Sequence, residues 1–271
     1  MATALTRQNN SRLSMGTAVL WLSVIVLLPL IALTTEAFSG GLSGFWEAVT
    51  SDGAVDALRV TVTVSLIVAV LNAVTGTLIA WVLVRDDFPG KRIVDAVIDL
   101  PFALPTIVAS LVLLSIYGPD SPIGITLNAT QPALVIALAF VTLPFVVRAV
   151  QPVLIELDKD VEEAAASLGA SNTTIFRRII LPALWPAVLP GTGLVFARAI
   201  GEYGSVVLIG GNIPGDTQVA SQYIQEQIES DVPSAAAAVS IALLAITFIV
   251  LLALRLVGER ATSGKKKEQD A

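Results

Sequence analysis

Along this chain the apolar positions neither alternate nor form stripes; they run in long uncharged blocks separated by shorter charged stretches. The blocks cover residues 15–33, 60–84, 100–117, 132–147, 179–197 and 235–254, each 16 to 25 residues long. About 20 apolar residues in helical form cross a hydrocarbon slab of roughly 30 Å. The pattern therefore predicts an all-α membrane protein with six transmembrane helices. The first block follows Arg7 and Arg12 as the core of a signal peptide would. Its 19 residues are long for that role, and Leu33-Thr34-Thr35-Glu36 has no small-x-small cleavage site, so it is expected to remain as an anchor.

Between the fourth and fifth blocks lie 31 residues, 148–178, rich in charge and far more than a turn needs. Asp160, Glu162 and Glu163 suit a helix N-terminus, Ala164 to Ala166 are strong helix formers, and Gly169 suits a left-handed stop. Ser171 or Asn172 can cap a second helix that ends with Arg177 and Arg178 before Pro182. The stretch predicts a helix-turn-helix outside the bilayer. Its residues allow a solvated surface hairpin or a short helix whose alanine face seats in a cleft of a cytoplasmic partner.

Composition narrows the function classes. With 55% hydrophobic and 14% charged residues, a soluble core of 271 residues could not hide the apolar surface. The absence of cysteine and histidine removes disulfides, thiolate chemistry, histidine triads and pH switches, and most zinc and haem sites. Of 16 Lys and Arg, 14 fall on one side of the alternating loops: Arg7 and Arg12; Arg85, Lys91 and Arg92; Arg148, Lys159, Arg177 and Arg178; and Arg255, Arg260 and Lys265 to Lys267. Basic residues resist translocation, so that side is expected to be cytoplasmic, with both termini inside. The opposite side carries Arg59 against nine acidic residues, a field that repels a divalent anion. Trp81, Trp185 and Tyr117 suit interfacial belts, whereas Trp21 lies too deep for one.

Arg198 and Glu202, four residues apart in or near the fifth block, are expected to share a helix face and pair. The pair reads either as structural or gating, or as a pathway charge that helps an anion pass while Glu202 prevents its trapping. Ser205, Thr192, Ser110 and Thr106 are alternative neutral contacts for a dianion, although hydroxyls in membrane helices commonly bond their own backbone. Pro101, Pro105, Pro144, Pro186, Pro190, Gly191 and Gly193 sit where helices kink or simply tolerate them. The stretch from Gly258 to Lys266 has five intervening residues and the wrong last residue for a Walker A loop, and reads as a disordered tail. With no GxSxG elbow and no paired aspartates in the spans, no catalytic residue is expected, and no cofactor or metal on this chain.

The charged loop carries Glu163-Ala164-Ala165, three residues, Gly169, nine residues, then Ile179-x-Leu181-Pro182. At all seven fixed positions this is similar to the EAA signature of ABC importer permeases. The resemblance spreads to Asp99-Leu100-Pro101-Phe102-Ala103-Leu104-Pro105-Thr106, to Leu143-Pro144-Phe145-Val146-Val147-Arg148 with Gln151-Pro152-Val153-Leu154, and to Ala197-Arg198-Ala199-Ile200-Gly201-Glu202-Tyr203-Gly204. These runs, covering residues 13–256 with an extra N-terminal span, resemble the sulfate/thiosulfate branch and its T-type rather than W-type subunit.

The resemblance implies a type I ABC importer permease fold with a cytoplasmic coupling helix, forming half of a translocation pathway in a bacterial inner membrane. Glu163, Ala164, Ala165, Gly169, Ile179, Leu181 and Pro182 would couple it to the ATPase. Implied partners are a W-type permease subunit, two ATP-binding cassette subunits carrying the ATP and Mg, an extracytoplasmic sulfate-binding protein docking near residues 214–231, and the lipid bilayer, with no nucleic acid. The implied division is residues 1–56 as N-terminus, first helix and outer loop, residues 57–257 as the permease core with five spans and an EAA loop at 148–185, and residues 258–271 as a cytoplasmic tail. Molybdate or tungstate permeases share the loop, and an ATP-independent anion channel is the alternative of another class.

Overall fold

In the computed structural model, which describes residues 14–269, helix α1 spans Ser14–Ala37 with one π turn at Ser23–Leu27. No residue of its apolar window is buried. Arg7 and Arg12 lie outside the described residues, as do the side chains of Arg260 and Lys265 to Lys267. Helix α2, Gly41–Val49, folds back so that Phe38 stacks on Phe45 at 4.5 Å. Of the described residues, 14–51 and 224–242 form one compact unit, whose small core joins Ala37, Ala237 and Ala238 to Leu33, Phe45, Ala48 and Ile241. Alanines there let helix backbones approach closely.

The second unit, residues 52–223 and 243–269, holds the larger core. It opens with α3, Asp52–Arg85, whose 34 residues span about 51 Å at ~1.5 Å each, well over a hydrocarbon core. Then come α4 (Lys91–Ile98), α5 (Leu100–Ala103), α6 (Thr106–Tyr117), α7 (Gln131–Glu156), α8 (Lys159–Ser167) and α9 (Asn172–Ile200). An irregular segment leads to α10 (Ala220–Glu229), and α11 runs over Pro233–Gln269. The stretch after Gly258, expected to be a disordered tail, is thus helical to Gln269.

Helix α7 is the axis of the second unit, packed between α3 and α9. Gly76 of α3 lies so close to Val146 that a Cβ there would sit 2.8 Å from Val146 Cβ. Gly191 of α9 approaches the same turn, with a virtual Cβ 3.0 Å from Ala149 Cβ. Across the α3–α7 seam the buried Asn72 Nδ2 donates to Ala139 O at 3.0 Å and Thr142 Oγ1 at 2.9 Å. In hydrocarbon such a polar link gives register that dispersion alone does not.

Three expectations need correction. The third apolar block is not one straight span: Leu104 and Pro105 are extended, with ψ of 132° and 131°, and the axis turns by 114°. Proline lacks an N–H and pushes its predecessor out of the helical region. Helix α6 alone is about 18 Å long, too short to cross, so the described residues hold five apolar helices of spanning length plus this broken pair. The second helix of the charged loop does not stop before Pro182 but continues into the fifth span through a π turn at Phe176–Ile180. Pro182 follows directly on that turn, where the regular helical hydrogen-bond ladder is already interrupted. Finally, Glu202 lies beyond α9, which ends at Ile200, rather than on its face.

The segment from Gly201 to Val219 has no regular structure, yet Glu202, Ser205, Val206, Ile209 and Thr217 to Val219 are buried. Irregular backbone is tolerated at this depth only where protein satisfies it. Ser110 Oγ of α6 accepts from Leu208 N and Ile209 N at 3.1 and 3.2 Å, and Ala129 N donates to Ile209 O at 2.8 Å. Thr61 Oγ1 of α3 accepts from Ala220 N at 2.7 Å.

Candidate functional site: the charged hairpin and two ion-pair clusters

Helix α8 forms as its residues dictate. The Asp158 carboxylate caps it by accepting from Asp160 N at 2.9 Å, and Asp160 and Glu162 occupy its positive first turn. Gly169 ends it at φ +87°. Ala170 N donates to Ala165 O at 3.0 Å and Gly169 N to Ala166 O at 2.9 Å, the paired bonds of a Schellman stop. Ser171 then caps α9, its Oγ accepting from Thr174 N at 3.3 Å.

The hairpin is held at its base and open at its tip. Arg85, the last residue of α3, pairs with Glu162 at 2.5 Å, its side chain only 10% exposed, and its guanidinium lies 5.5 Å from the centre of the Trp81 ring. Trp81 meets Phe176 of α9 edge-on at 6.0 Å. Glu163, Ala164 and Ala166 are exposed and Ala165 is half-covered, while Leu168 at the turn is 90% exposed. A groove of about 450 Å³, lined by Trp81, Glu162, Glu163, Ala166 and Phe176 among others, opens beside the helix. Ile179 and Pro182 are half-buried and Leu181 exposed at the start of the fifth span. The seven residues of the sequence signature therefore fall in two places: four on the exposed helix and its turn, three where α9 enters the span.

A second cluster was not legible as such. Arg148 of α7 donates from Nε and Nη2 to both oxygens of Asp99 at 2.8 and 2.6 Å, from Nη1 to Asp95 Oδ1 at 2.7 Å, and from Nη2 to Asp95 O at 2.9 Å. Gln151 accepts from Arg148 Nη1 at 2.5 Å and donates to Asp95 Oδ1 at 3.2 Å. This planar fork fastens α4 and α5 to α7 two turns before the hairpin. By charge alone Arg148 counts among the loop cations; the signal in the sequence is its position in a run containing Gln151, with Asp99 in another. Arg148→Gln is expected to lower unfolding stability by roughly 1–2 kcal/mol, the lower part of the range for charged hydrogen bonds because solvent reaches the cluster. A double-mutant cycle with Asp99→Asn, followed by thermal denaturation of the solubilised protein, should return a coupling of about 1 kcal/mol, and additivity would show the fork to be idle.

Arg198 and Glu202 do meet, Nη1 to Oε2 at 2.5 Å, with Arg198 43% exposed and Glu202 2%. Glu202 also accepts from Ser205 N at 2.9 Å through Oε1, while its backbone carbonyl accepts from Ser221 Oγ at 2.8 Å. The carboxylate thus shapes the irregular segment, and the cation faces outward on the surface of α9 that also presents Leu194. Ser205 is fully buried and its hydroxyl has no partner among the described residues. Of the neutral alternatives, Thr192 bonds Val188 O of its own helix and Ser110 is engaged by two backbone N–H groups.

The family model for "binding-protein-dependent transport system inner membrane component" matches residues 72–263, which include the fork, the hairpin and the Arg198–Glu202 pair. The chain is 44% identical over 246 residues to the sulfate transport system permease protein CysT of Synechocystis sp., covering 88% of this chain and 86% of that one. It is 40% identical over 256 residues to the protein of the same name from Salmonella typhimurium, covering 92% of each. Among solved structures it superposes on a chain of a bacterial alginate ABC transporter in complex with an alginate pentasaccharide-bound periplasmic protein, with TM-score 0.80 and 17% identity, over 96% of this chain and 97% of that one. That likeness establishes the fold. A membrane-spanning chain with an exposed, rigidly based hairpin, matched over these residues and at these identities, belongs to the family of binding-protein-dependent transport system inner membrane components.

Proposed function

We propose that this chain is the T-type permease subunit of an ATP-driven sulfate/thiosulfate importer. It supplies half of the pathway, pairs with a different W-type permease, and is driven by two ATP-binding cassette subunits that carry the ATP and Mg. The observation behind the substrate is identity of 40–44% over nearly the whole chain to relatives named as sulfate permeases. The mode of coupling rests on the α8 hairpin, whose alanine face and apolar tip are uncovered while its base is pinned by Arg85. An acidic outer side disfavours direct anion capture, which is why an extracytoplasmic binding protein is part of the reading. The chain itself acts without a catalytic residue or bound cofactor.

The test is reconstitution with the candidate second permease, ATPases and binding proteins, measuring ATP-dependent uptake of labelled sulfate and molybdate. Sulfate uptake that requires both the second permease and the binding protein is expected. A homodimer that prefers molybdate, or saturable uptake without ATP, would replace the reading with a molybdate permease or a channel. In the same assay Arg198→Ala should slow sulfate uptake about tenfold or more if the exposed cation contributes to passage, since a charge in a span is retained for a partner or a path. Unchanged rate and selectivity would leave Arg198 as the counter-ion of Glu202, and Glu202 and Ser205 as parts of the irregular segment alone.

The orientation rests on the basic asymmetry, which puts the hairpin and both termini in the cytoplasm. Because the chain has no cysteine, single cysteines report position cleanly. Asp216→Cys should react with an impermeant maleimide added outside cells freed of the outer membrane barrier, and Asp160→Cys should react only after lysis. The reverse pattern would invert the topology.

A further inference from the structure

Where α3 leaves its span, its last two turns form one wall of an apolar slot of about 220 Å³, lined by Leu78, Ile79, Val82, Leu83, Phe88 and Val94. Phe88 and Val94 come from beyond the span: the chain turns at Gly90, φ +85°, and α4 starts at Lys91. This helix has two unlike faces. Asp95 and Asp99 turn toward Arg148, as described above. Ile93, Val94 and Val97 are exposed on the other side, and Leu100 and Phe102 continue the uncovered apolar surface. At ~3.6 residues per turn, Lys91 borders the apolar sector beside Val94, whereas Arg92 lies on the side of Asp95 and Asp99. Lys91 makes only an exposed pair with Asp87 at 3.2 Å and a bond to Asp86 O, and Arg92 is exposed with no partner among the described residues.

An apolar slot at the end of a spanning helix, next to a helix with its apolar side bare and two cations at its start, has the chemistry of one ligand. We propose that α4 lies in the membrane interface and that the slot with Lys91 at its edge binds an anionic glycerophospholipid, an acyl chain lying along Leu78 and Val82 and the phosphate meeting Lys91, with Arg92 at the same helix start adding positive charge nearby. Short helices with basic flanks and an apolar face settle at the depth where acyl chains meet headgroups. The long basic side chains reach the phosphates while their stems cover apolar surface. The slot and the bare face of α4 are continuous, so headgroup and chain are served by one short stretch, residues 78–97. Because the opposite face of α4 is forked to α7, the bound lipid buttresses the base from which the α8 hairpin projects. This requires only that the chain spans a bilayer with α4 at its surface; the identity of the cargo does not enter.

The test uses the assembled transporter in nanodiscs containing a phosphatidylglycerol that carries a photoactivatable group on one acyl chain, or the matching phosphatidylcholine. After irradiation the labelled peptides are mapped by mass spectrometry. Labelling across residues 78–94 is expected with phosphatidylglycerol, and about tenfold less with phosphatidylcholine or in the K91Q/R92Q double variant, while labelling of the exposed α1 helix is the same for both lipids and both proteins. Val94→Trp, which fills the slot and keeps both cations, should lower labelling at residues 78–83 while thermal stability holds. Equal labelling by the two lipids, no effect of K91Q/R92Q, or no labelling of the slot in the assembled transporter would each overturn the proposal, the last because another protein chain would then cover it.

Discussion

Gly169→Val should leave the protein inserted in the membrane at ordinary levels while ATP-driven uptake falls at least about tenfold and the ATPase subunits are lost on purification. Gly169 sits at φ +87° with no atom within 4 Å of a virtual Cβ, so the defect is one of backbone conformation, not of room. A side chain in the left-handed region costs about 1–2 kcal/mol, and a β-branched one is worse placed still. Relieving that strain breaks the paired bonds from Gly169 and Ala170 to Ala166 and Ala165, and the turn that aims Leu168 and the alanine face is lost. The span is indifferent, since α9 is capped independently by Ser171 and its core residues lie beyond the hairpin. Gly169→Asn, which tolerates the same conformation, should recover much of the activity. Glu163→Lys makes the companion case: it keeps the turn but reverses an exposed charge in the positive first half of α8. Normal uptake and normal ATPase retention in both Gly169→Val and Glu163→Lys would mean that the hairpin is a solvated surface feature.

Gly76→Leu should do the opposite, damaging the fold and, through it, every activity. Its virtual Cβ meets Val146 Cβ at 2.8 Å and Val146 Cγ1 at 3.0 Å, with Val147 N at 3.5 Å. Valine is stiff at χ1 and Val146 is fully buried, so the clash cannot be relieved by rotating a side chain. Even Gly76→Ala should destabilise by roughly 1–3 kcal/mol, the range for inserting a methyl into a packed core. Leucine must part α3 from α7, breaking the Asn72 links one turn away, and should abolish recovery of folded protein in detergent. Gly191→Ala, facing the same turn of α7 with a slightly wider gap, should be milder than Gly76→Ala. The ordering, read from melting temperatures, is the test; a Gly76→Leu protein that melts like the parent would show that α3 and α7 do not pack as described.

These two predictions fall on opposite sides of a line that runs through the whole molecule. The apolar blocks, the α8 helix, its acidic start, the left-handed stop at Gly169 and the Ser171 cap were legible in the sequence because each is decided within a few residues. Transfer of a 20-residue apolar helix into hydrocarbon, the φ preference of glycine and the reach of a capping hydroxyl are local quantities. The seven-position signature in the loop belongs to the same class, since its spacing is carried by a single hairpin. Element ends are less legible: α3 begins eight residues before its apolar block, and α9 takes in the short helix expected to stop before Pro182. Periodicity and charge mark where a span is comfortable in lipid, not where its hydrogen bonds stop.

What the tertiary structure decided involves residues far apart in the chain. Arg148 could be counted as a loop cation, but its fork to Asp95 and Asp99 exists only because α4 and α5 fold back across α7, 49 to 53 residues away. The break at Leu104 and Pro105 was permitted by proline and realised by packing, since the same residue type is absorbed without a break inside α7 at Pro144. The segment from Gly201 to Val219 reads as an outer loop, yet Glu202, Ser205, Val206, Ile209 and Thr217 to Val219 in it are buried, because Ser110 satisfies its backbone and Thr61, 159 residues from its partner Ala220, holds the start of the helix that follows. The sequence by itself determined that this chain crosses a membrane in helices and presents a charged hairpin, because burial of apolar length and turn chemistry are properties of contiguous residues. Only the fold decided which charges pair, which hydroxyls serve backbone and which helix is bent, because those depend on partners that chain order does not bring together.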